Sequence, residues 1–252
     1  MTATEGSGAM APPQPAADPG GAHRQPLAEA VVALVEHPEG AGDRLTRIAQ
    51  LAVERVAAAD YASITTLHGD AYTTVTASDD IVRAVDEAQI ADRSGPCLQA
   101  LRTGEPVTVP DTGATMQWPG FHRIAPALGL VASVSVPLHT GCGPPEAVLN
   151  LYGRDSTAMT PLILGLDGAH GTQRDPDPAL ERLLQRDPGA AELLTGYAEA
   201  LAARATIRLA VRVLARDTNS TDDDAYRVLR ACAADEHTPL SAAAAAVLTG
   251  QR

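Results

Sequence analysis

Four arginine residues recur at every fourth position near the end of the chain: Arg204, Arg208, Arg212 and Arg216. No acidic residue falls between Ala200 and Arg216, although the whole chain has a formal net charge of -12. At about 100° per residue, an α-helix would carry the four guanidinium groups on one face. Such a stripe has the chemistry to bind an anionic partner. The alternative is a solvated charged face in a chain that contains no lysine.

The same segment has an apolar face opposite the arginines. Its members are Ile207, Leu209, Ala210, Val211, Val213 and Leu214. This pattern predicts an amphipathic helix that packs on a core with one face and exposes the cationic stripe with the other.

Two more amphipathic helices are predicted after the stripe. The polar run Thr218 to Thr221 is typical of a helix start, and Asp222 to Asp224 place negative charge in the first turn. The apolar residues that follow have helical spacing: Ala225, Val228, Leu229 and Cys232. Thr238 and Pro239 are typical of the N-cap and first position of a third helix, which ends near Leu248. We therefore expect an all-α module.

The three helices resemble the ANTAR domain, an RNA-binding module of bacterial antitermination regulators. In the second helix the matching residues are Asp223, Asp224, Ala225, Tyr226, Leu229 and Arg230. The resemblance implies RNA hairpin binding, with Tyr226 as a stacking surface and Arg230 as a further cation. The candidate RNA contacts are Arg204, Arg208, Arg212, Arg216, Tyr226 and Arg230.

One position departs from the ANTAR pattern. Family members carry an Ala-Lys-Gly segment in the first helix, whereas here Ala210 is followed by Val211 and Arg212. Phosphate contacts depend on where a cation points, and Arg212 is displaced by one residue from the family's lysine. Two interpretations therefore stay open. The module binds RNA, or it is a degenerate module of a signal-sensing dimer that acts through protein partners.

The chain before this module predicts helices and strands in an α+β order. Two helices are followed by the hairpin strands YASITTL and AYTTVTA, a third helix, a short helix and the strand EPVTVPD. An irregular stretch from Thr112 to Phe121 precedes the strands LVASVSVPL and EAVLNLYG. We expect an antiparallel sheet with flanking helices, followed by the small all-α module.

The segment SGPCLQALRTGEPVTVPD, with ASITTLHGD before it and LVASVSVPL after it, resembles the GAF domain of actinobacterial regulators in which GAF is joined to ANTAR. The resemblance implies a small-ligand pocket above the sheet, or a dimerisation domain. The candidate pocket residues are Arg93, Cys97, Gln117, Trp118, Phe121, His122 and Arg123. No residue pattern identifies a cofactor.

Trp118 and Phe121 belong to the two rarest residue types of the chain, and they fall beside His122 in what we expect to be a loop. They predict an aromatic lid with a polar handle, or alternatively a hydrophobic plug. His122 as a metal ligand and Cys97 as a bilin-attachment or redox residue are weaker alternatives. His122 lacks nearby partners at ligand spacing, and cysteine is more often buried than reactive.

The expected organisation is a disordered tail over 1–26, a GAF-like domain over 27–154, a linker over 155–189, a connecting helix over 190–203 and the ANTAR-like module over 204–252. Within the linker we expect a mobile loop from Gly165 to Asp177 and a short helix from Pro178 to Gln185. The connecting helix should run on to Arg216. Its apolar seam is expected to pair two subunits of a homodimer, and its members are Leu194, Tyr197 and Leu201.

Composition excludes several classes of protein. The three cysteines form no CxxC pair, and neither a signal peptide nor a membrane span is visible, so a cytoplasmic protein is expected. A sequence pI near 4.9 argues against a general nucleic-acid binder, so any RNA contact must be local. Cys97 and Cys142 lack the motif of GAF-fold methionine sulfoxide reductases. We therefore expect a regulator without catalytic residues.

Overall fold

The computed structural model describes residues 26–170 and 178–250. The expected tail, apart from Pro26, and the second part of the expected loop lie outside these ranges. Within them, no helix has both the length and the apolar character needed to cross a membrane.

A five-stranded antiparallel sheet forms the first part of the chain, in the strand order β2-β1-β5-β4-β3. The strands are β1 Tyr61–His68, β2 Ala71–Ala77, β3 Val107–Val109, β4 Ala132–His139 and β5 Pro145–Gly153. The predicted α+β fold and the β1–β2 hairpin are confirmed. The EPVTVPD segment forms a strand at only three residues, which pair with β4 at the sheet edge.

Helices cover both faces of this sheet. The first five are α1 Pro26–Glu36, α2 Ala41–Arg55, α3 Asp80–Ala91, α4 Pro96–Thr103 and α5 Pro119–Ala127. Alternate residues of each strand face opposite sides, so Ile64 and Val134 join the core under α1 and α2 while Val148 and Tyr152 join the core under α3, α4 and α5. Asp79 caps α3 by accepting a hydrogen bond from the Ile81 amide at 2.8 Å.

The segment after the sheet is more ordered than its composition predicts. Helix α6 spans Ser156–His170 and α7 spans Pro178–Leu184. The prediction of a mobile loop was wrong for the first part of that segment, since Gly165 and Leu166 lie in α6 and Leu166 is buried. Met159, Leu162 and Ile163 bury the same face of α6 against the sheet core, and this burial outweighs the helix-breaking effect of Pro161. The short helix α7 is confirmed.

Helix α8, Pro188–Thr218, joins the two parts of the chain without a break. Asp187 caps it through the Ala190 amide at 3.0 Å and also accepts hydrogen bonds from the Ala57 and Ala58 amides. One turn later, the buried Glu192 carboxylate accepts from the Leu27 amide at 2.5 Å and pairs with Arg55 at 2.6 Å. These two carboxylates fix α8 to the start of α1 and the end of α2.

The apolar seam of α8 is used within the chain. Tyr197 is buried, and Leu194 packs so closely on Gly165 of α6 that a Cβ on that glycine would overlap it. Leu201 packs half-buried against the same core. The expectation that this seam is free to pair two subunits was therefore wrong, because α1 and α6 already cover it.

Helices α9, Asp222–Asp235, and α10, Leu240–Thr249, pack on the second half of α8. Thr221 caps α9 as expected, through the Asp224 amide at 3.1 Å. Thr238 does not cap α10: the helix begins one residue later, and the Glu36 carboxylate of α1 accepts from the Ser241 amide at 2.9 Å. Leu209 was placed on the buried face but is 53% exposed, since α9 and α10 contact the side of α8 that carries Ile207, Ala210 and Val211.

Replacing Gly196 with alanine tests the attachment of α8. A Cβ at this position would lie 2.5 Å from the Cα of Ala28, so backbone must move. We expect Gly196→Ala to lower the free energy of unfolding by about 2 kcal/mol despite alanine's better helix propensity. Gly168→Ala in α6 is the control, because no atom lies within 4 Å of its Cβ and it should be neutral or stabilising. Urea unfolding of both variants measures the difference, and equal stabilities would contradict the close packing.

Candidate nucleic-acid interface and sensor core

A fully buried carboxylate lies at the centre of the sheet face under α3 and α4. Asp86 of α3 accepts a 2.6 Å hydrogen bond from the Tyr152 hydroxyl, and the side-chain amide of Asn150 donates to the same carboxylate oxygen at 3.4 Å. Thr65 and Thr74 donate to its second oxygen at 3.5 and 3.4 Å. We call these residues the Asp86 network.

The network extends to the start of α4. Gln89 donates to the Tyr152 hydroxyl at 3.3 Å and accepts from the Cys97 amide at 3.0 Å, which supplies the N-terminus of α4 with a partner. Asn150 also contacts Ser63, Ser135 and the Cys97 sulfur. The Ser133 hydroxyl, on the same sheet face and 1% exposed, has no hydrogen-bond partner within the described ranges.

Burial governs the protonation of this cluster. Desolvation raises the pKa of Asp86 to about 6, although hydrogen bonds from Ser63 and Tyr152 oppose the shift. Desolvation, followed by the nearby Asp86 charge, raises the pKa of Cys97 to about 12. Cys97 is therefore a protonated, buried thiol at neutral pH, which does not suit bilin attachment or redox chemistry.

The structure places the other candidate pocket residues in two groups. Trp118 and Phe121 are buried beside Cys97 in one apolar core, with ring centroids 6.3 Å apart in an edge-to-face arrangement. Phe121 and His122 lie in α5 and not in a loop, because Pro119 starts the helix there. His122 holds the preceding segment through a 3.2 Å contact with the Thr112 carbonyl.

Three candidate pocket residues lie outside that core, since their side chains are exposed: Arg93, Gln117 and Arg123. Across the parts of the chain that the structure describes, no group of three or more His, Cys, Asp or Glu side chains is placed to hold a metal ion. The pocket candidates that lie together are therefore aromatic and apolar, and the polar groups beside them belong to the Asp86 network. Sequence reasoning missed Asp86 and Asn150. The signal was an acidic residue on the apolar face of α3 and an amide within a buried strand.

The pH dependence of stability tests the Asp86 network. Because the folded-state pKa is raised from 3.8 to about 6, the folded protein holds this proton more tightly than the unfolded chain. Raising the pH from about 4 to about 6 should therefore cost up to about 3 kcal/mol of unfolding free energy through this group, with no further loss above pH 7. Asp86→Asn should remove that loss. Urea unfolding at several pH values measures it.

The control for this experiment is Asp70→Asn, in the exposed turn between β1 and β2. The unfolding free energy of this control should depend on pH as that of wild type does. Contributions from the other titrating groups cancel when the unfolding free energy of each variant is subtracted from that of wild type. A difference between wild type and Asp86→Asn that stays constant from pH 4 to pH 7 would contradict the raised pKa.

Three of the four arginines of the stripe are exposed. Arg208, Arg212 and Arg216 are exposed, and Arg216 pairs with Asp217 at 2.8 Å. Arg204 is half-buried and donates to the Gly143 carbonyl in the β4–β5 turn at 2.8 and 3.2 Å. Val211, at the position of the ANTAR lysine, is 3% exposed and belongs to the packed face of α8.

The two candidate RNA contacts on α9 face the sheet domain. The Tyr226 hydroxyl is buried against the β4–β5 turn at Gly141, and burial raises its pKa to about 12. The Arg230 guanidinium lies over the Tyr226 ring, 5.8 Å from its centroid, and pairs with Glu39 between α1 and α2. The structure thus brings Arg204, Tyr226 and Arg230 to one side of the module, at the sheet domain.

A histidine lies beneath this contact. His139, at the end of β4, is 7% exposed, and its burial, followed by the charges of Arg204 and Arg208, lowers its pKa to about 4. A neutral imidazole therefore lies beside the two arginines at physiological pH. Sequence reasoning missed His139, because only the fold brings the end of β4 to α8.

Comparison with known proteins agrees with this division of the chain. Residues 42–166 match the GAF domain family model, and residues 196–248 match the ANTAR domain family model. The chain therefore carries a GAF domain built on the five-stranded sheet and an ANTAR domain that comprises most of α8 with α9 and α10. Both are regulatory domains, so the class is a signal-sensing regulator with an RNA-binding output domain.

Two solved structures are similar in part. The type II free methionine-R-sulfoxide reductase from Thermoplasma acidophilum is 14% identical, with a TM-score of 0.39, and the match covers 66% of this chain and 94% of that one. The GAF domain region of a protein from Geobacter sulfurreducens PCA is 17% identical, with a TM-score of 0.38, covering 64% of this chain and 91% of that one. No curated protein matches this chain.

Proposed function

We propose that the protein is a transcription antitermination regulator of the actinobacterial GAF–ANTAR type, in which a small ligand or partner of the GAF domain controls binding of RNA hairpins by the ANTAR domain. The exposed arginines of α8 are the observation that carries the RNA proposal. Arg208, Arg212 and Arg216 point away from the packed face of α8, where Ile207 and Ala210 are buried.

Charge supports a local contact and not a general one. With a net charge of -12, the mean field of the protein repels phosphate, so binding depends on guanidinium groups close to the RNA backbone. Arginine suits this role because its planar fork pairs with phosphate in two hydrogen bonds. We propose that Arg208 and Arg212 make the central phosphate contacts.

The Asp86 network and the adjacent aromatic core are the proposed sensor site. They lie on the sheet face under α3, α4 and α5, where polar groups of the strands meet Trp118 and Phe121. The unpartnered Ser133 hydroxyl supports this site, since buried hydroxyls usually have a hydrogen-bond partner. A polar ligand with both donors and acceptors fits this chemistry better than an apolar one.

Helix α8 is the proposed connection between sensor and output. It is fixed to α1 and α2 at its start and carries the arginine stripe at its end, so displacement of the first half is transmitted along one rigid element. Homodimerisation stays a prediction. Its surface must differ from the seam of Leu194, Tyr197 and Leu201, which is covered within the chain.

Filter binding across a salt series tests the RNA proposal. Arg208→Ala combined with Arg212→Ala should reduce affinity for a loop-bearing RNA hairpin more than about tenfold and flatten the log-log salt slope by about 1.4 to 1.8, the value for two phosphate contacts. The melting temperature should change little, since both side chains are exposed. A matched control is Arg102→Ala combined with Arg182→Ala, which removes the same charge from exposed positions of α4 and α7.

If the two double variants lost RNA affinity equally, RNA binding would depend on net charge alone. If wild type retained no hairpin above micromolar concentration even at low salt, both with and without the ligand of the GAF domain, the RNA-binding function would be overturned. The alternative, a sensing protein that acts through protein partners, would then replace it.

Fluorescence of Trp118, the only tryptophan of the chain, tests the sensor site. A ligand that binds beside the aromatic core should change its emission and raise the melting temperature with ligand concentration. Screening a metabolite library by both readouts, together with mass spectrometry of molecules that co-purify with the protein, identifies the ligand. A ligand that raises the melting temperature and leaves Trp118 emission unchanged would place the site elsewhere.

A further inference from the structure

The β4–β5 turn of the GAF domain, residues 140–144, contacts the ANTAR domain through side chains that are themselves candidate RNA contacts. Arg204 donates to the Gly143 carbonyl, and the Tyr226 hydroxyl is buried against Gly141. Beside the turn, Arg230 pairs with Glu39. Two arginines of the module thus have partners in the sensor domain, a backbone carbonyl for Arg204 and a carboxylate for Arg230.

Glycine is required where the turn meets Tyr226. Gly141 has φ of +62°, which side chains rarely adopt, and a Cβ on it would overlap the Tyr226 hydroxyl. The same residue therefore allows both the turn conformation and the close approach. Any side chain at this position must displace the Tyr226 hydroxyl from the turn.

The turn also borders the exposed arginines. Cys142 and Gly143 line a groove of about 240 Å³ together with Arg208, Arg212 and the first turn of α9. The acidic residues of that turn, Asp222 and Asp223, lie in the same groove. RNA phosphates that approach Arg208 and Arg212 from this side enter a space bordered by the sensor turn and two carboxylates.

We propose that the β4–β5 turn and RNA compete for one surface of the ANTAR domain, so that this structure is a closed form with low RNA affinity. Withdrawal of the turn frees Arg204 and Tyr226, and loss of the Glu39 pair frees Arg230. This inference rests on the proposed RNA-binding function. The contacts are few and partly exposed, which suits a reversible interface that a signal can open.

Two variants of the sensor side test the competition without changing any candidate RNA contact. Gly141→Ala should separate the turn from Tyr226. Its control is Gly69→Ala in the β1–β2 turn, where φ is +59° and no atom lies within 4 Å of the Cβ, so the backbone strain is equal and the contact is absent. Glu39→Arg should release Arg230. Its control is Glu54→Arg on α2, an exposed position with the same change in net charge.

Each test variant should bind a loop-bearing RNA hairpin about tenfold or more tightly than its control. This is the usual size of a coupling between two sites, here the sensor-domain contact and the RNA surface. Melting temperatures confirm that all four variants fold. Hydrogen exchange of the turn and of α9 reports opening independently of RNA, and it should be faster in Gly141→Ala than in Gly69→Ala.

Hairpin binding of equal strength in test and control variants overturns the competition and leaves the RNA-binding function in place. Unchanged exchange in both test variants also overturns it. Faster exchange in Gly141→Ala with no hairpin binding by any variant overturns the RNA-binding function, and the competition with it.

Discussion

The attachment of one face of α8 to the N-terminal helices is the constraint on which the rest of the structure depends. Glu192 and Asp187 satisfy backbone amides at the start of α1, just after the end of α2 and in the first turn of α8 itself, and Gly196 lets α8 approach the backbone of Ala28. A buried carboxylate is costly unless its partners are complete, so these contacts specify the position of α8 along the sheet domain. The ANTAR helices inherit that position, because α8 continues into them without a break.

The polar interior of the GAF domain follows from a second constraint. Asp86 and Asn150 occupy positions that apolar side chains would fill in a structure built for stability alone, and burial raises the pKa of Asp86 as a result. Hydrogen bonds from Tyr152 and the strand threonines offset part of that cost. A domain that keeps a satisfied polar cluster beside two aromatic rings has the elements of a recognition site, and this is the physical basis of the sensor proposal.

Sensor and output meet at short-range contacts that involve the same arginines and tyrosine as the proposed RNA surface. A guanidinium held by a carbonyl or carboxylate of the GAF domain is no longer free to pair with phosphate. If the turn and RNA compete as proposed, control of RNA binding needs no large rearrangement of α8. On the same proposal, withdrawal of the glycine-containing turn is what exposes Arg204 to solvent.

The sequence by itself determined the two kinds of domain, most helix bounds and the succession of helices and strands along the chain, since these depend on local periodicity, caps such as Asp79 and Thr221, and motifs of adjacent residues. Only the tertiary structure decided which faces are covered. Leu209 is exposed, Leu194 and Tyr197 are packed within the chain, and Arg204 contacts Gly143, which is distant in sequence. Burial of His139 was equally beyond sequence reasoning, whereas burial of Asp86 was indicated only by its place on the apolar face of α3. The helical periodicity of a segment indicates whether a helix face is apolar or charged. The element that covers that face is set by long-range contacts, which no local pattern encodes.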